Sequence, residues 1–320
     1  MTEAPHSEES CLFEPRQLRA FAALARHMHF GRAAESIGVS QPTLSLRIRA
    51  LEEAVGAPLI HRSNRTLALT ALGESFLADA TRILAMMERA RRNAEELLSG
   101  EEGEIALGVC PGVISSGALV AILSEARRRH PRLRVRALVA PPFTLLGLLE
   151  CGAIDLMASV TFGLALPKGV LRRELARWDA VLAAPAERWE AAGRPESLED
   201  AAWVKDETFI CYEGAEASYP RVVESLLGFS PVRTMSTASS RLMMAYVDAG
   251  CGVVVIPSPD AAAAGPATRI VRLPGGRSRM PVEVMRLATS NAPMTRRMFE
   301  LIGEAASSGG ASRPPAAESS

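Results

Sequence analysis

Lysine is nearly absent from this sequence: Lys168 and Lys205 are the only two, so arginine carries almost all the positive charge. The preference runs along the whole chain and is not in itself a sign of phosphate binding. No apolar run reaches the roughly 20 residues that a membrane helix requires. The opening MTEAPHSEES is acidic and has no leader-like apolar region, so a bacterial-type cytoplasmic protein is expected, with no membrane partner. Cys11, Cys110, Cys151, Cys211 and Cys251 are odd in number, widely spaced and lack a CxxC pair. That pattern argues for reduced thiols and against a disulfide scaffold or a zinc site, and no metal or cofactor is expected. No GxGxxG, Walker A, GxSxG or paired-ligand motif occurs. His6, His27, His29, His61 and His130 fall in the N-terminal part or on a surface helix, so no positioned general base is in view and catalysis is not expected.

With 320 residues and 48% apolar content, the chain can bury two or three domain cores. Its most specific segment is Phe30 to Val55, FGRAAESIGVSQPTLSLRIRALEEAV. A helical pattern from Arg32 to Ile37 stops at Gly38, which tolerates the left-handed geometry of a helix end. Ser40 then offers an N-cap oxygen, and Pro42 falls in the first turn, where its missing N–H costs little. Leu44, Ile48, Leu51 and Val55 form a buried stripe, and the opposite face carries Pro42, Ser45, Leu46, Arg49 and Glu53, flanked by Gln41 and Thr43. Small polar groups, one exposed Leu and an Arg suit the edges of bases in a major groove. The net charge is zero, yet Arg16 to Arg65 holds eight arginines against three glutamates.

This segment resembles the winged helix-turn-helix of LysR-type transcriptional regulators, whose recognition helix often opens with a Ser-Gln-Pro-x-x-Ser pattern like Ser40 to Ser45. The likeness continues through Leu51-Glu52-Glu53, Gly56, Leu59, the Arg62 to Arg65 turn and Leu69-Thr70-x-x-Gly73, and in weaker form covers Leu12 to Ala306. It implies an α/β protein with an N-terminal winged helix-turn-helix, a long linker helix and a two-lobed, periplasmic-binding-protein-like effector domain. The implied partners are a double-stranded DNA operator, a small-molecule effector, further copies of the chain as homodimer or homotetramer, and RNA polymerase. Gln41, Pro42, Thr43, Ser45 and Leu46 are expected to read bases, with Arg49, Arg62 and Arg65 on phosphate or in the minor groove. Pro58 to Thr70 reads as the wing hairpin, and Arg65 at its tip suits a narrow minor groove.

From Thr70 to Leu98 the pattern is that of one helix of about 40 Å, without proline. Phe76, Ala80, Ile83, Met87, Ala90, Ala94 and Leu97 recur at 4 and 3 residues, a coiled-coil seam for a second subunit. The competing account is a helix packed on its own domain.

Beyond a short hinge at Ser99–Gly103, a βαβαβ unit is expected over Glu104 to Val160. A second α/β group follows, with strands near Ala180–Ala184, Thr208–Tyr212 and Gly252–Ile256 and helices near Pro220–Gly228 and Ser239–Ala249. A strand at Val282–Leu287 and a helix to about Ala305 return to the first group. The expected domains are a flexible 1–11, the DNA-binding unit 12–70, the linker helix 71–99 and an effector domain 100–306. Within the last, lobe I takes about 104–177 and 279–306, lobe II about 178–278, and a disordered tail of Ser, Ala, Pro and Gly covers 307–320.

Ligands in open α/β sheets bind beyond strand carboxyl ends and at helix N-termini. That rule selects Pro111, Gly112, Val113, Ser115, Thr161 and Phe162 from the first lobe, and Tyr212, Thr237 and Ser239 from the second. The helix starts suit a small organic anion such as a carboxylate, although these hydroxyls could equally be mere helix caps. Many family members have Ser or Thr where this chain has Pro111-Gly112, which puts a side-chain contact there in doubt. A thiol-based redox sensor on the same scaffold, using Cys110 and Cys211, is the rival reading.

Overall fold

The computed structural model describes residues 13–62, 67–99, 103–193, 195, 202–273, 278–290 and 292–308. The expected flexible N-terminus, the wing-tip Arg65, the Gly100–Glu102 part of the hinge and the tail from 309 lie outside these residues. The described residues fall into two compact units, one that runs to Arg91 and takes in Cys151–Ala153, and one that holds the remainder.

The first unit begins with α1 (Pro15–His27), α2 (Phe30–Ser36) and α3 (Gln41–Val55). Gly38 has φ 68° between α2 and α3, and Ser40 Oγ accepts the Thr43 N–H at 3.3 Å, so the turn and the cap fall where the sequence placed them. Leu44, Ile48 and Leu51 are fully buried against Leu18, Phe21 and Leu24, with Val55 packed at the edge. Next come β1 (Ile60–Arg62) and β2 (Leu67–Leu69), paired antiparallel with Ile60 opposite Leu69. Thr70 caps α4 (Ala71–Ser99): its Oγ1 accepts the Gly73 N–H at 2.9 Å and donates to the Pro58 carbonyl at 2.9 Å.

One expectation for α4 is corrected. Phe76, Ala80 and Ile83 belong to the core of their own domain: Phe76 meets Phe13 edge to face and Phe21 at a tilt, and Ala80 has no exposed surface. A period of 3.5 describes helix packing on the same chain as well as packing on a partner, and the domain core claims this half of the seam. The other half differs. Met87 is 43% exposed, Ala90 and Ala94 are exposed, and so is the neighbouring Met86 at 62%.

The second unit opens with β3 (Glu104–Val109), α5 (Pro111–Ser115), α6 (Ala118–Arg129), β4 (Arg134–Val139), α7 (Pro142–Glu150) and β5 (Leu156–Val160). β3 lies between β4 and β5, all parallel, as the expected βαβαβ unit requires. β6 (Val170–Pro185) is a 16-residue strand shared by two sheets. Its first part pairs antiparallel with β11 (Arg279–Leu287), which also pairs with β5. From Ala180 on, the same strand pairs with β9 (Val254–Pro257) and β10 (Thr268–Arg272). Between these come α8 (Ala186–Ala191), β7 (Thr208–Tyr212), α9 (Tyr219–Leu227), β8 (Arg233–Thr237) and α10 (Ser240–Asp248), and α11 (Pro293–Ser308) closes the chain. β7 and β8 run parallel, and a Phe209–Val253 bridge joins them to the second sheet. Two lobes thus share β6, with the crossing at Asp179–Ala180.

Candidate nucleic-acid interface and effector cleft

The buried stripe of α3 fixes which of its side chains face outward. Gln41, Pro42, Leu46 and Arg49 are exposed, Leu46 at 64%, while Thr43 and Ser45 are half-buried. Thr43 is partly committed, since its Oγ1 lies 2.8 Å from Ser40 Oγ in the cap. An exposed leucine between polar neighbours forfeits no burial only if something apolar meets it, and a thymine methyl is such a partner. The Glu52 carboxylate accepts the Leu59 and Ile60 N–H groups at 3.0 and 3.2 Å, which ties the first wing strand to α3. In the sequence Glu52 figures only in the Leu51-Glu52-Glu53 likeness, and its spacing does not announce a contact seven and eight residues on. Arg62 ends β1, but its side chain, like the whole of Arg65, lies outside the described residues.

The expected effector residues divide into groups. Val113 has no exposed surface and belongs to the core, so its side chain cannot meet a ligand. Ser115 ends the five-residue α5, is exposed and donates to the Pro111 carbonyl at 3.3 Å, which corrects its assignment to a helix start. The α6 start itself is capped by Gly117 at φ 77°. The Thr161 hydroxyl is buried and donates to Glu283 at 2.7 Å, and Glu283 in turn meets Arg172 at 3.6 Å, so this hydroxyl already serves the fold. Ser239 caps α10, accepting the Leu242 N–H at 3.3 Å, and Thr237 is buried.

Other expected residues do line the meeting of the lobes. α5 packs on the 3₁₀ turn Ser258–Ala263, which follows β9. Gly112 lies so close to Trp178 that a Cβ would sit 2.7 Å from Cζ3, and beyond Phe162 a side chain at Gly163 would collide with Val222. Tyr212 donates or accepts a hydrogen bond with Ser240, and burial, then Asp260, push its phenol above the usual range. Of the two close approaches, only that of Gly163 to Val222 of α9 joins one lobe to the other.

Asp260, on that 3₁₀ turn, was not among the expected residues. It is 7% exposed, and among the described residues it forms no ion pair. Burial pushes its carboxyl up to about 7, and its field raises both Cys110 and Tyr212. Asp260 thus acts electrostatically on Cys110, just after β3, and on Tyr212, the last residue of β7. Cys110 is held up chiefly by burial, and Cys211 is pushed up to about 11 by burial and then Glu216. Both stay protonated at neutral pH. Among the described residues no disulfide forms, and no cluster of three metal-ligating side chains exists. No helix of the described residues is long and apolar enough to cross a membrane.

A winged helix-turn-helix ahead of a two-lobed α/β domain is the architecture of a DNA-binding regulator of transcription. Comparison with known families narrows it further. Residues 15–74 match the bacterial regulatory helix-turn-helix protein, lysR family, and residues 98–307 match the LysR substrate binding domain. The chain belongs to the LysR family of transcriptional regulators. It is 31% identical over 258 residues to the uncharacterized HTH-type transcriptional regulator YnfL of Escherichia coli (strain K12), covering 77% of this chain and 82% of that protein. A probable hydrogen peroxide-inducible genes activator of Streptomyces viridosporus is 31% identical over 284 residues, covering 85% and 86%. In fold the chain is similar to CbnR, a LysR family transcriptional regulator, with a TM-score of 0.66 at 24% identity over 92% of this chain and 99% of that one.

Proposed function

We propose that this protein binds an operator through the outward face of α3 and is switched by a small molecule held between the lobes of its second unit. The observation that carries the first half is the division of α3. One side is fully buried at Leu44, Ile48 and Leu51; the other presents Gln41, Pro42, Leu46 and Arg49 to solvent in an arginine-rich unit. Gln41 suits adenine, Leu46 a thymine methyl and Arg49 a phosphate. Two copies joined along the exposed end of α4, at Met86, Met87, Ala90 and Ala94, would place two recognition helices on an inverted repeat, where the pair would meet RNA polymerase.

For the second half, Pro111, Gly112, Phe162 and Tyr212 remain the effector contacts we favour, joined by Asp260. A bare carboxylate would set two acids in one buried cleft, and one of them would have to hold a proton. The effector we propose therefore turns a hydroxyl, amide or ammonium group toward Asp260. The redox alternative gains a relative in the Streptomyces protein, but the raised Cys110 and Cys211 thiols weigh against it, since the thiolate is the reactive form. Genome-wide DNA binding tests the proposal. A shared inverted repeat beside a small set of genes is expected, and their chemistry would nominate effectors for thermal-shift assay with the full chain. Recovery of no common sequence would overturn the operator reading. Loss of binding after peroxide, with oxidised Cys110 or Cys211 found by mass spectrometry, would overturn the effector reading.

A further inference from the structure

A cavity of about 530 Å³ lies away from the lobe cleft, where the end of α6 meets the loop after β11 and the first turns of α11. Arg129, Arg286, Arg296 and Arg297 line it, with Glu300 and Glu304. Arg286 is only 9% exposed. Its Nη1 donates to the carbonyls of Leu287 and Ser290 at 3.1 and 3.3 Å, and its guanidinium lies 5.2 Å from the Phe299 ring centre. Its Nε has no acceptor, and no carboxylate among the described residues forms an ion pair with it. Burial, and next to it the charge of Arg296, push Arg286 below the usual arginine range, with Glu300 offsetting only in part. Arginine does not shed its proton under such pressure, so the site holds a buried cation short of counter-charge.

The surrounding charges do not supply it. Glu300 pairs with Arg173, and Glu304 with Arg129 at 3.1 Å. Arg296 and Arg297 are exposed and form no ion pair among the described residues. Both stand within the first turn and a half of the 16-residue α11, near the positive end of its dipole, where cations are unfavourable and anions are stabilised. A concave site with three guanidiniums short of anions, at a helix N-terminus, is consistent chemistry for one kind of ligand.

We propose that this groove is a second binding site, for a small polyanion such as a phosphate ester or a polycarboxylate, held by Arg286, Arg296 and Arg297. The fork of each guanidinium matches two oxygens of either group. The site is independent of the lobe cleft, whose Asp260 repels such a ligand.

The test uses the full chain with pyrophosphate and, separately, citrate, each against sodium chloride of equal ionic strength. Hydrogen exchange is read at the amides of the first turns of α11, which separates this site from the arginine-rich first unit. Either anion is expected to slow exchange there, and pyrophosphate alone or citrate alone would name the ligand class. The double variant Arg296→Gln/Arg297→Gln changes only exposed side chains and is expected to weaken that protection about tenfold or more. A second variant, Arg286→Lys, keeps the charge but not the fork and is expected to weaken it to a smaller extent. Protection matched by chloride, protection by neither anion, or a double variant that responds as the parent does would overturn the proposal.

Discussion

At the scale of single residues the most consequential group is Asp260. Its carboxyl titrates near 7 in the folded chain against 3.8 for a free side chain, because burial disfavours the charged form. Between those values the native state holds a proton that the unfolded chain releases, so stability falls as pH rises from about 4 to about 7 and stays reduced above that. At about 1.4 kcal/mol per pKa unit the cost at pH 8 is ~4 kcal/mol as an upper bound. Asp260→Asn removes it. Urea unfolding of the variant should show a gain over the parent at pH 8 that shrinks toward pH 5; parallel stabilities across that range would mean the carboxyl is not held in an apolar setting. In the sequence Asp260 sits in PSPDAAAA, which has the look of a solvated turn, and only the packing of α5 on that turn reveals it. Thr161 errs the other way: a hydroxyl at a strand end looked available, but Glu283, more than a hundred residues away, takes it.

At the scale of elements, periodic and capped segments were legible and short or two-sided ones were not. α3 was marked at both ends, by Ser40 and by Gly56 at φ 79°, and its stripe was regular. α5 is five residues long, too short for any period to show, and its absence from the reading moved Ser115 from a helix end to a helix start. The first ten residues of β6, VLRRELARWD, are largely exposed on both faces, so the alternation that marks a half-buried strand never develops, whereas the fully buried Ala180–Pro185 announced itself. α4 shows how one period serves two partners, and the halves can be told apart. Phe76→Ala should cost the first unit ~3 kcal/mol, read as a lower melting temperature, because Phe76 bridges Phe13 and Phe21. The double variant Met86→Ser/Ala90→Glu touches only exposed positions and should leave that melting temperature in place while lowering the sedimentation mass. An unchanged mass would put the subunit contact elsewhere. Gly73 tests the joint with the wing: a Cβ there runs into the Leu59 carbonyl, so Gly73→Ala should destabilise the first unit although alanine is the better helix former.

At the scale of the whole molecule, a formal charge of zero conceals a division of labour. The eight arginines and three glutamates between Arg16 and Arg65 make the DNA-binding unit cationic, and the rest of the chain cancels the sum without cancelling the local field. Counterion release depends on the local contacts, so operator affinity should fall steeply with salt despite neutrality. Arg49 and Gln41 then separate the two components of binding. Arg49 is exposed on the outward face of α3, about one helical turn beyond Ser45, where a phosphate contact is expected. Arg49→Ala should weaken operator and unrelated DNA alike and lower the slope of log K against log salt by about one. Gln41 stands at the first position of the helix and carries an amide able to pair with adenine. Gln41→Ala should leave the salt slope as it was and narrow the gap between operator and mismatched sites by about 1–3 kcal/mol. Titrations of both variants on operator and scrambled duplexes over a range of salt concentrations decide the matter. If Gln41→Ala kept full discrimination, or if Arg49→Ala changed base preference and not the slope, the outward face of α3 would not lie in the groove as proposed.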